Sequence, residues 1–345
     1  MDRAAFRRRL ERRHVDLFHL ENGAGIEAWI TNYGGIVVSL LVPDRDGKRA
    51  DVVLGCDSLD GYLAGHPHFG AICGRCANRI GNARFSIDGE VYSLAANRPP
   101  NHLHGGDRGW DKVVWDAEQR EARLELHYSS PDGEEGYPGK VEASVVYHLN
   151  DTGLGISFSA TTTAPTVVNL THHGYFNLAG HARGSVLDHE LQSPATAFCA
   201  TDATSIPLGD EQPVDGTPFD FRSAKLLGRE IDADDEQLSL AGGYDHHLVV
   251  GSRSAEPRLA AGLRHPGSGR ACELWTTEPG FQLYTGNALD GSVEGKGGCT
   301  YLKRSGVCLE PQFHPDAVNQ PGFPSPLLLP GDRYQQLSEY RFSVD

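Results

Sequence analysis

The amino-acid sequence predicts an all-β fold, a large antiparallel sandwich of two sheets. Three observations predict it. Apolar residues recur at every second position in several segments, which is the period of a half-buried strand. Glycine (41) and proline (20) interrupt those segments at short intervals. Helical periodicity is scarce, and no repeat of fixed length is present.

Taken in order, the opening residues MDRAAFRRRLERRH place Phe6 and Leu10 four apart, which predicts a short amphipathic helix over residues 1–14. ARFSIDGEVYSL sets Phe85 and Ile87 before Asp88-Gly89 and Val91 after it, a hairpin with a two-residue turn. RLELHYSS alternates through Leu124, Leu126 and Tyr128, and VEASVVYHL and GLGISFSATTT continue the extended pattern. SAKLLGREI (Ser223 to Ile231) predicts a short helix capped by Ser223. Gly251 to Gly269 and the DGSVEGKGG segment around Gly295 read as long loops, too short for domain linkers. The expected organisation is one domain over residues 1–345.

Bulk properties narrow the function. The net charge of −15 argues against a nucleic-acid partner, which calls for clustered Lys and Arg, and suits a neutral small molecule. No stretch approaches the ~20 apolar residues of a membrane span. The basic N-terminus lacks the apolar core of a secretory signal. Seven cysteines, an odd and scattered set, do not suggest a disulfide framework, so a cytoplasmic location is expected. Cys73 and Cys76 have CxxC spacing, but there is no second half to complete a zinc site, and buried thiols are the expectation.

Four polar clusters stand out: NHLHGG (Asn101 to Gly106), NLTHHGYFNLAG (Asn169 to Gly180), GYDHHL (Gly243 to Leu248) and GVCLEPQFHPDAVNQPGF (Gly306 to Phe323). Each embeds His, Asp or Glu in an apolar setting, where unpartnered polar groups cost several kcal/mol. His102 and His104, two apart, would share one strand face; with a distant Glu they could resemble a metal triad, but the isolated pair reads as polar packing. The same alternation puts Asn169, Thr171, His173 and Tyr175 on one face and His172, Gly174 and Phe176 on the other. Likewise Asp245 and His247 part from His246, and Cys308 lies with Glu310. One His, one Asp and one Glu converging in a pocket would make an acid–base site at neutral pH.

The segments GRCANRIGNARFSIDG, NHLHGGDRGWDK, VVNLTHHGYFNLAG, GYDHHL, EPGFQLYTGN and GVCLEPQFHPDAVNQPGFPSPLLLPGDRY stand in one order along the chain. With them the sequence resembles the galactose mutarotase (aldose 1-epimerase) family over nearly its whole length. The resemblance implies a large antiparallel β-sandwich and interconversion of the α and β anomers of a free aldose such as galactose or glucose. It implies that His173 is the general acid and Glu310 the general base. Asn78, Arg79, His104, Asp245 and Gln282 are then implied to bind the sugar. The mechanism so implied needs no cofactor and no metal, and the protein would be a monomer or homodimer. Two positions depart from the family pattern: His172 stands where an Asn usually precedes the catalytic His, and Gly174 where a Ser follows it. Trp110 and Trp115 are expected in the core. The competing readings are a non-catalytic sugar-binding protein on the same fold, an epimerase of hexose 6-phosphates, which would need extra pocket cations, and a metal-dependent enzyme using His102 and His104.

Overall fold

In the computed structural model, which describes residues 1–10 and 12–345, alternating burial runs through the longest strands. Val141–Leu149 shows every second residue buried, and it pairs with Arg123–Ser130 on one side and Gly153–Thr162 on the other. Asp116–Arg120 completes this consecutive meander. The last strand, Tyr334–Val344, then inserts between Gly153–Thr162 and Arg270–Thr276. It joins the meander to Arg258–Arg264, Glu190–Gln192 and Lys225–Leu226 in a sheet of nine strands.

A second sheet of six strands carries Asp245, Gln282 and Glu310. Its order is Tyr175–Phe176, Val307–Gln312, Gly280–Tyr284, Asp245–Val249, Ala197–Thr201 and Pro207–Pro213. Every residue of Val307–Gln312 is buried, as expected of a strand covered on both faces. Leu309, Leu283, Phe281 and Leu248 pack with Val145, Tyr147, Ile156 and Phe158 of the larger sheet in one apolar core. Trp110 and Trp115 are buried in it edge to face, as expected. A sheet of four strands, from Leu17–Glu21 to Arg49–Asp51, lies beside them. The all-β sandwich reading therefore holds, and the Asp88-Gly89 turn joins strands Arg84–Ile87 and Glu90–Ser93 with both residues at positive φ.

Several local readings need correction. The N-terminal segment is not an amphipathic helix. A single 3-10 turn, Arg3–Ala5, leads into strand Arg8–Leu10, which pairs with Arg13–Val15. Phe6 is fully buried, while Arg3 and Arg7 both bind Asp16 and Arg8 binds Asp60, so tertiary contacts override the helical spacing. Residues 223–231 form strand Lys225–Leu226 and the 3-10 turn Leu227–Arg229, with no side-chain cap. Strand Arg258–Arg264 lies inside the expected loop 251–269, and strand Asp290–Glu294 inside the glycine-rich segment. The two short α-helices are elsewhere, Leu59–Leu63 capped by Ser58 and Glu236–Ala241 capped by Asp235.

Arg75 anchors the loop that carries Asn78 and Arg79. Its side chain is 2% exposed and donates to the carbonyls of Pro131, Pro138 and Gly139 and to the Ser130 hydroxyl. Pro131 O also accepts from the Glu134 N–H, but removing the guanidinium takes their donor from the carbonyls of Pro138 and Gly139. Arg75→Met is expected to lose about 3 kcal/mol or more of stability. Urea unfolding of the two proteins measures it, and a loss below 1 kcal/mol would contradict this anchoring role.

Candidate active site

Strand Thr171–His173 pairs with Ala71–Cys73, and its alternation divides the two adjacent histidines as expected. His172 points into the core, its ring edge-on to Tyr340 and Tyr147, and burial drives its pKa down to about 3. His173 points the other way, stacked on Tyr175 with centroids 5.0 Å apart. It opens onto a pocket of about 700 Å³ that His104, Asn78, Arg79, Asp245 and Glu310 also line.

Positions 172 and 174 adjoin in space. A Cβ on Gly174 would lie 2.6 Å from Cε1 of His172 and 3.1 Å from Phe176. The imidazole at 172 occupies the space that a side chain at 174 requires. The imidazole at 172 and a side chain at 174 therefore compete for one volume.

Glu310 reaches the pocket from the centre of Val307–Gln312, with Cys308 on the same face as alternation requires. His173 sits between them: Nε2 is 3.6 Å from Oε1 of Glu310, and Nδ1 is 3.6 Å from Sγ of Cys308. Burial raises the Glu310 carboxyl well above the usual carboxylate range; the Asp245 charge adds to this and Arg79 opposes it. Burial lowers His173 well below an ordinary imidazole, with neighbouring His68 adding to the effect. Opposed shifts on these neighbouring groups favour the state with one proton, on Glu310, and a neutral His173.

Asp245, Arg79, Asn78 and Gln282 form a polar chain along one wall. Gln282 Nε2 donates to Asp245 Oδ1 at 2.7 Å, Arg79 Nη2 lies 3.6 Å from Asp245 Oδ2, and Arg79 Nη1 donates to Asn78 Oδ1 at 3.2 Å. Antiparallel pairing sets Gln282 directly opposite Glu310. Gln282 does not itself line the pocket; it stands behind Asp245 with its own Oε1 buried and unpartnered.

His104 and His102 do not share a face, contrary to the reading of the HxH pair as regular strand. His104 has φ 50°, a left-handed conformation that swings its ring into the pocket. His102 is buried elsewhere, on Ala95 O and the Tyr137 hydroxyl. The turn after His104 needs Gly105, at φ 89°, because a Cβ there would lie 1.8 Å from Gly74 O. The backbone N–H of Asn78 donates to His104 Nδ1 at 3.1 Å, which assigns the ring proton to Nε2. His104, His173 and Glu310 could bring ligand atoms within 4.8 Å of one another around a cation. Ligation through His104 Nε2 would place the proton on Nδ1, against the Asn78 N–H. The trio is built to hydrogen-bond, with His104 as a donor.

Sequence reasoning did not single out His68, Tyr284 or Asn287, which also line the pocket. Tyr284 lies within the matched FQLYTGN segment, whereas nothing in the local spacing marks His68. Cys73 and Cys76 are buried free thiols, as expected.

Residues 16–341 match the aldose 1-epimerase family. The chain belongs to that family. It is 45% identical over 330 residues to the galactose mutarotase of Bos taurus, covering 96% of this chain and 94% of that one. It is 37% identical over 333 residues to the aldose 1-epimerase of Escherichia coli K12, covering 95% of both. Among solved structures it resembles the aldose epimerase homologue of C. elegans, with a TM-score of 0.88 at 31% identity, covering 96% of this chain and 99% of that one. The galactose 1-epimerase of Lactobacillus acidophilus gives 0.84 at 27% identity, with 98% and 97% covered. Among the described residues no helix is long and apolar enough to cross a membrane.

The shared volume at 172 and 174 gives a stability test. Gly174→Ser alone is expected to cost about 1–3 kcal/mol from overpacking. In a His172→Asn background the same change should cost less than half of that. Denaturant unfolding of the four proteins measures the coupling, and equal costs in both backgrounds would refute the shared volume.

Proposed function

We propose that the protein is an aldose 1-epimerase, an isomerase that interconverts the α and β anomers of free aldohexoses such as galactose and glucose. The observation that carries this reading is the 3.6 Å approach of His173 Nε2 to Glu310 Oε1 on the wall of a polar pocket. Ring opening of a cyclic hemiacetal needs a proton on the ring oxygen and the loss of one from the anomeric hydroxyl. Both oxygens are bonded to the same carbon, so the acid and the base must stand about one sugar atom apart. His173 and Glu310 have that spacing, and passing the Glu310 proton to His173 arms them as base and acid.

Glu310, as carboxylate, takes the proton of the anomeric hydroxyl while His173, as imidazolium, protonates the ring oxygen. The C1–O5 bond breaks and leaves the open-chain aldehyde, with the proton now on Glu310 and His173 neutral. Rotation about C1–C2 turns the other carbonyl face to the hydroxyl on C5. The same pair then works in reverse and closes the opposite anomer. Each positioned proton transfer contributes about 10²–10⁴-fold, or roughly 3–5 kcal/mol of barrier. Asp245 and Arg79 suit hydroxyl recognition, since a carboxylate accepts and a guanidinium donates at fixed angles. His104 contributes an Nε2–H donor. Asn78 orients Arg79 and His104, and Gln282 fixes Asp245 from behind.

A neutral sugar fits this pocket better than a hexose phosphate. The Arg and Lys side chains lining it are Arg79, already engaged by Asp245 and Asn78, and the exposed Arg98. No cluster of unpaired cations is present there to receive a dianion.

Polarimetry of freshly dissolved α-D-galactose and α-D-glucose tests the proposal; no acceleration above the buffer rate would sink it. His173→Gln and Glu310→Gln are each expected to lower kcat by about 10²–10⁴-fold with a much smaller change in KM. The double variant should be little worse than the poorer single one, because one group alone cannot complete the exchange.

The pH profile follows from the pair's one proton. Acid activity falls when the pair takes up a second proton, and alkaline activity falls when it loses its last. Burial lowers His173 and raises Glu310, so the acid limb moves below the ordinary imidazole value of 6.5 and the alkaline limb moves above the ordinary carboxylate value of 4.5. With the acid limb below 6.5, kcat/KM should not fall as the pH is lowered from 7 to 6.5. A profile that falls by half on acidification from 7 to 6.5 would contradict this.

A further inference from the structure

The mechanism above leaves unused a pocket histidine, His68, and the buried carboxylate behind it, Asp111. His68 lines the pocket with its ring 4.7 Å from that of His104 and 5.6 Å from that of His173, centroid to centroid. Its Nδ1 lies 2.9 Å from Oδ2 of Asp111, a residue 43 positions further along the chain. Asp111 is 1% exposed, and its carboxyl is held below the usual range by the bond to His68 against the opposing effect of burial. A carboxylate there accepts the proton of Nδ1. The other ring nitrogen, Nε2, is left bare when the ring is neutral.

Three further facts mark this arrangement as built. His68 has φ 60°, a left-handed conformation rare outside glycine and common where a site stores strain. Nε2 has no hydrogen-bond partner among the described residues. Its neighbour His104 carries the opposite tautomer, fixed by the N–H of Asn78. The wall therefore offers an acceptor beside a donor. A sugar hydroxyl is both at once, and a hydroxyl on one histidine can also serve the other.

Resting on the sugar pocket proposed above, we propose that His68, oriented by Asp111, is a specificity-determining residue whose Nε2 accepts a hydrogen bond from one sugar hydroxyl. Asp111 is the positioning residue of the pair: it touches no substrate and acts by choosing the tautomer. The ligand chemistry selected is a free hydroxyl next to the hydroxyl or ring oxygen served by His104 and His173.

Calorimetric binding of galactose and of its 2-, 3-, 4- and 6-deoxy analogues tests this, on wild type and on His68→Phe, which keeps an aromatic ring against His104 and His173. One deoxy analogue should bind wild type about three- to tenfold more weakly than galactose through its lost bond to His68. His68→Phe should weaken galactose by a similar factor, and removing that same hydroxyl should then cost nothing more. If every analogue loses the same factor in both proteins, or wild type binds none of these sugars, the contact is overturned. Nitrogen-15 NMR of the His68 ring gives a second readout. The proton is expected on Nδ1 in wild type, with the two tautomers mixed in Asp111→Asn; a proton on Nε2 in neutral wild type overturns the assignment. Polarimetry separates the two readings: coupling without accelerated mutarotation keeps the His68 contact and removes the epimerase.

Discussion

A carboxyl and an imidazole taken out of water together are the constraint on which the rest depends. Glu310 and His173 are both nearly fully buried, 2% and 4% exposed. Desolvation penalises either charge alone, so neither group can hold its ordinary ionisation unless the other compensates. Burial therefore favours one proton on the pair, held by Glu310. The proton exchange proposed for this site starts from that state. Asp245 sharpens the balance. Its charge pushes Glu310 toward protonation, and Arg79, tied to Asp245, limits the push.

Holding such a pair dry requires backbone geometry that cannot relax. Glu310 lies within a strand buried along its whole length, and its neighbour Gly280–Tyr284 sets Gln282 across from it. His173 is fixed by pairing with Ala71 and by stacking on Tyr175. The opposite wall comes from turns rather than strands. Asn78 and His104 both have left-handed backbones and clasp each other, His104 N–H to Asn78 O and Asn78 N–H to His104 Nδ1. Two strands carry the groups proposed to react, and two turns with left-handed residues carry Asn78 and His104. Strain of this kind persists only where the surroundings over-determine it, which Arg75 and the Gly105 contact do here.

What the sequence disclosed follows the same division. Period-two alternation separated His172 from His173 and grouped Cys308 with Glu310, because those segments are regular strand in the fold. It failed at His102 and His104, where one left-handed residue resets the direction of the side chains. The dyad of His68 and Asp111 joins distant segments, and no local spacing announces it. The N-terminal error has another origin: Phe6 and Leu10 do carry helical spacing, but the arginines between them find acidic partners that a helix would not reach. Propensity lost there to long-range ion pairs and to the burial of Phe6.

Unpartnered polar atoms in the interior bear on the same question. Glu310 Oε2 and Gln282 Oε1 are buried without hydrogen-bond partners, next to each other in register. Each such atom costs about 1–3 kcal/mol in a folded protein, and a chain shaped for stability alone would have satisfied or removed them. Glu310 belongs to the pocket lining, but its Oε2 is turned into the interior. Gln282 Oε1 lies deeper, and its amide is oriented by the bond to Asp245, so the deficit there is the cost of holding Asp245 in place. His172 shows the opposite case. It lies outside the pocket, its Nε2 is also unpartnered, and its ring fills space that Gly174 leaves open. One orphaned nitrogen there goes with packing, whereas the unpartnered oxygen of Glu310 belongs to a residue that lines the pocket. Position relative to the pocket, and not the lack of a partner alone, separates the two.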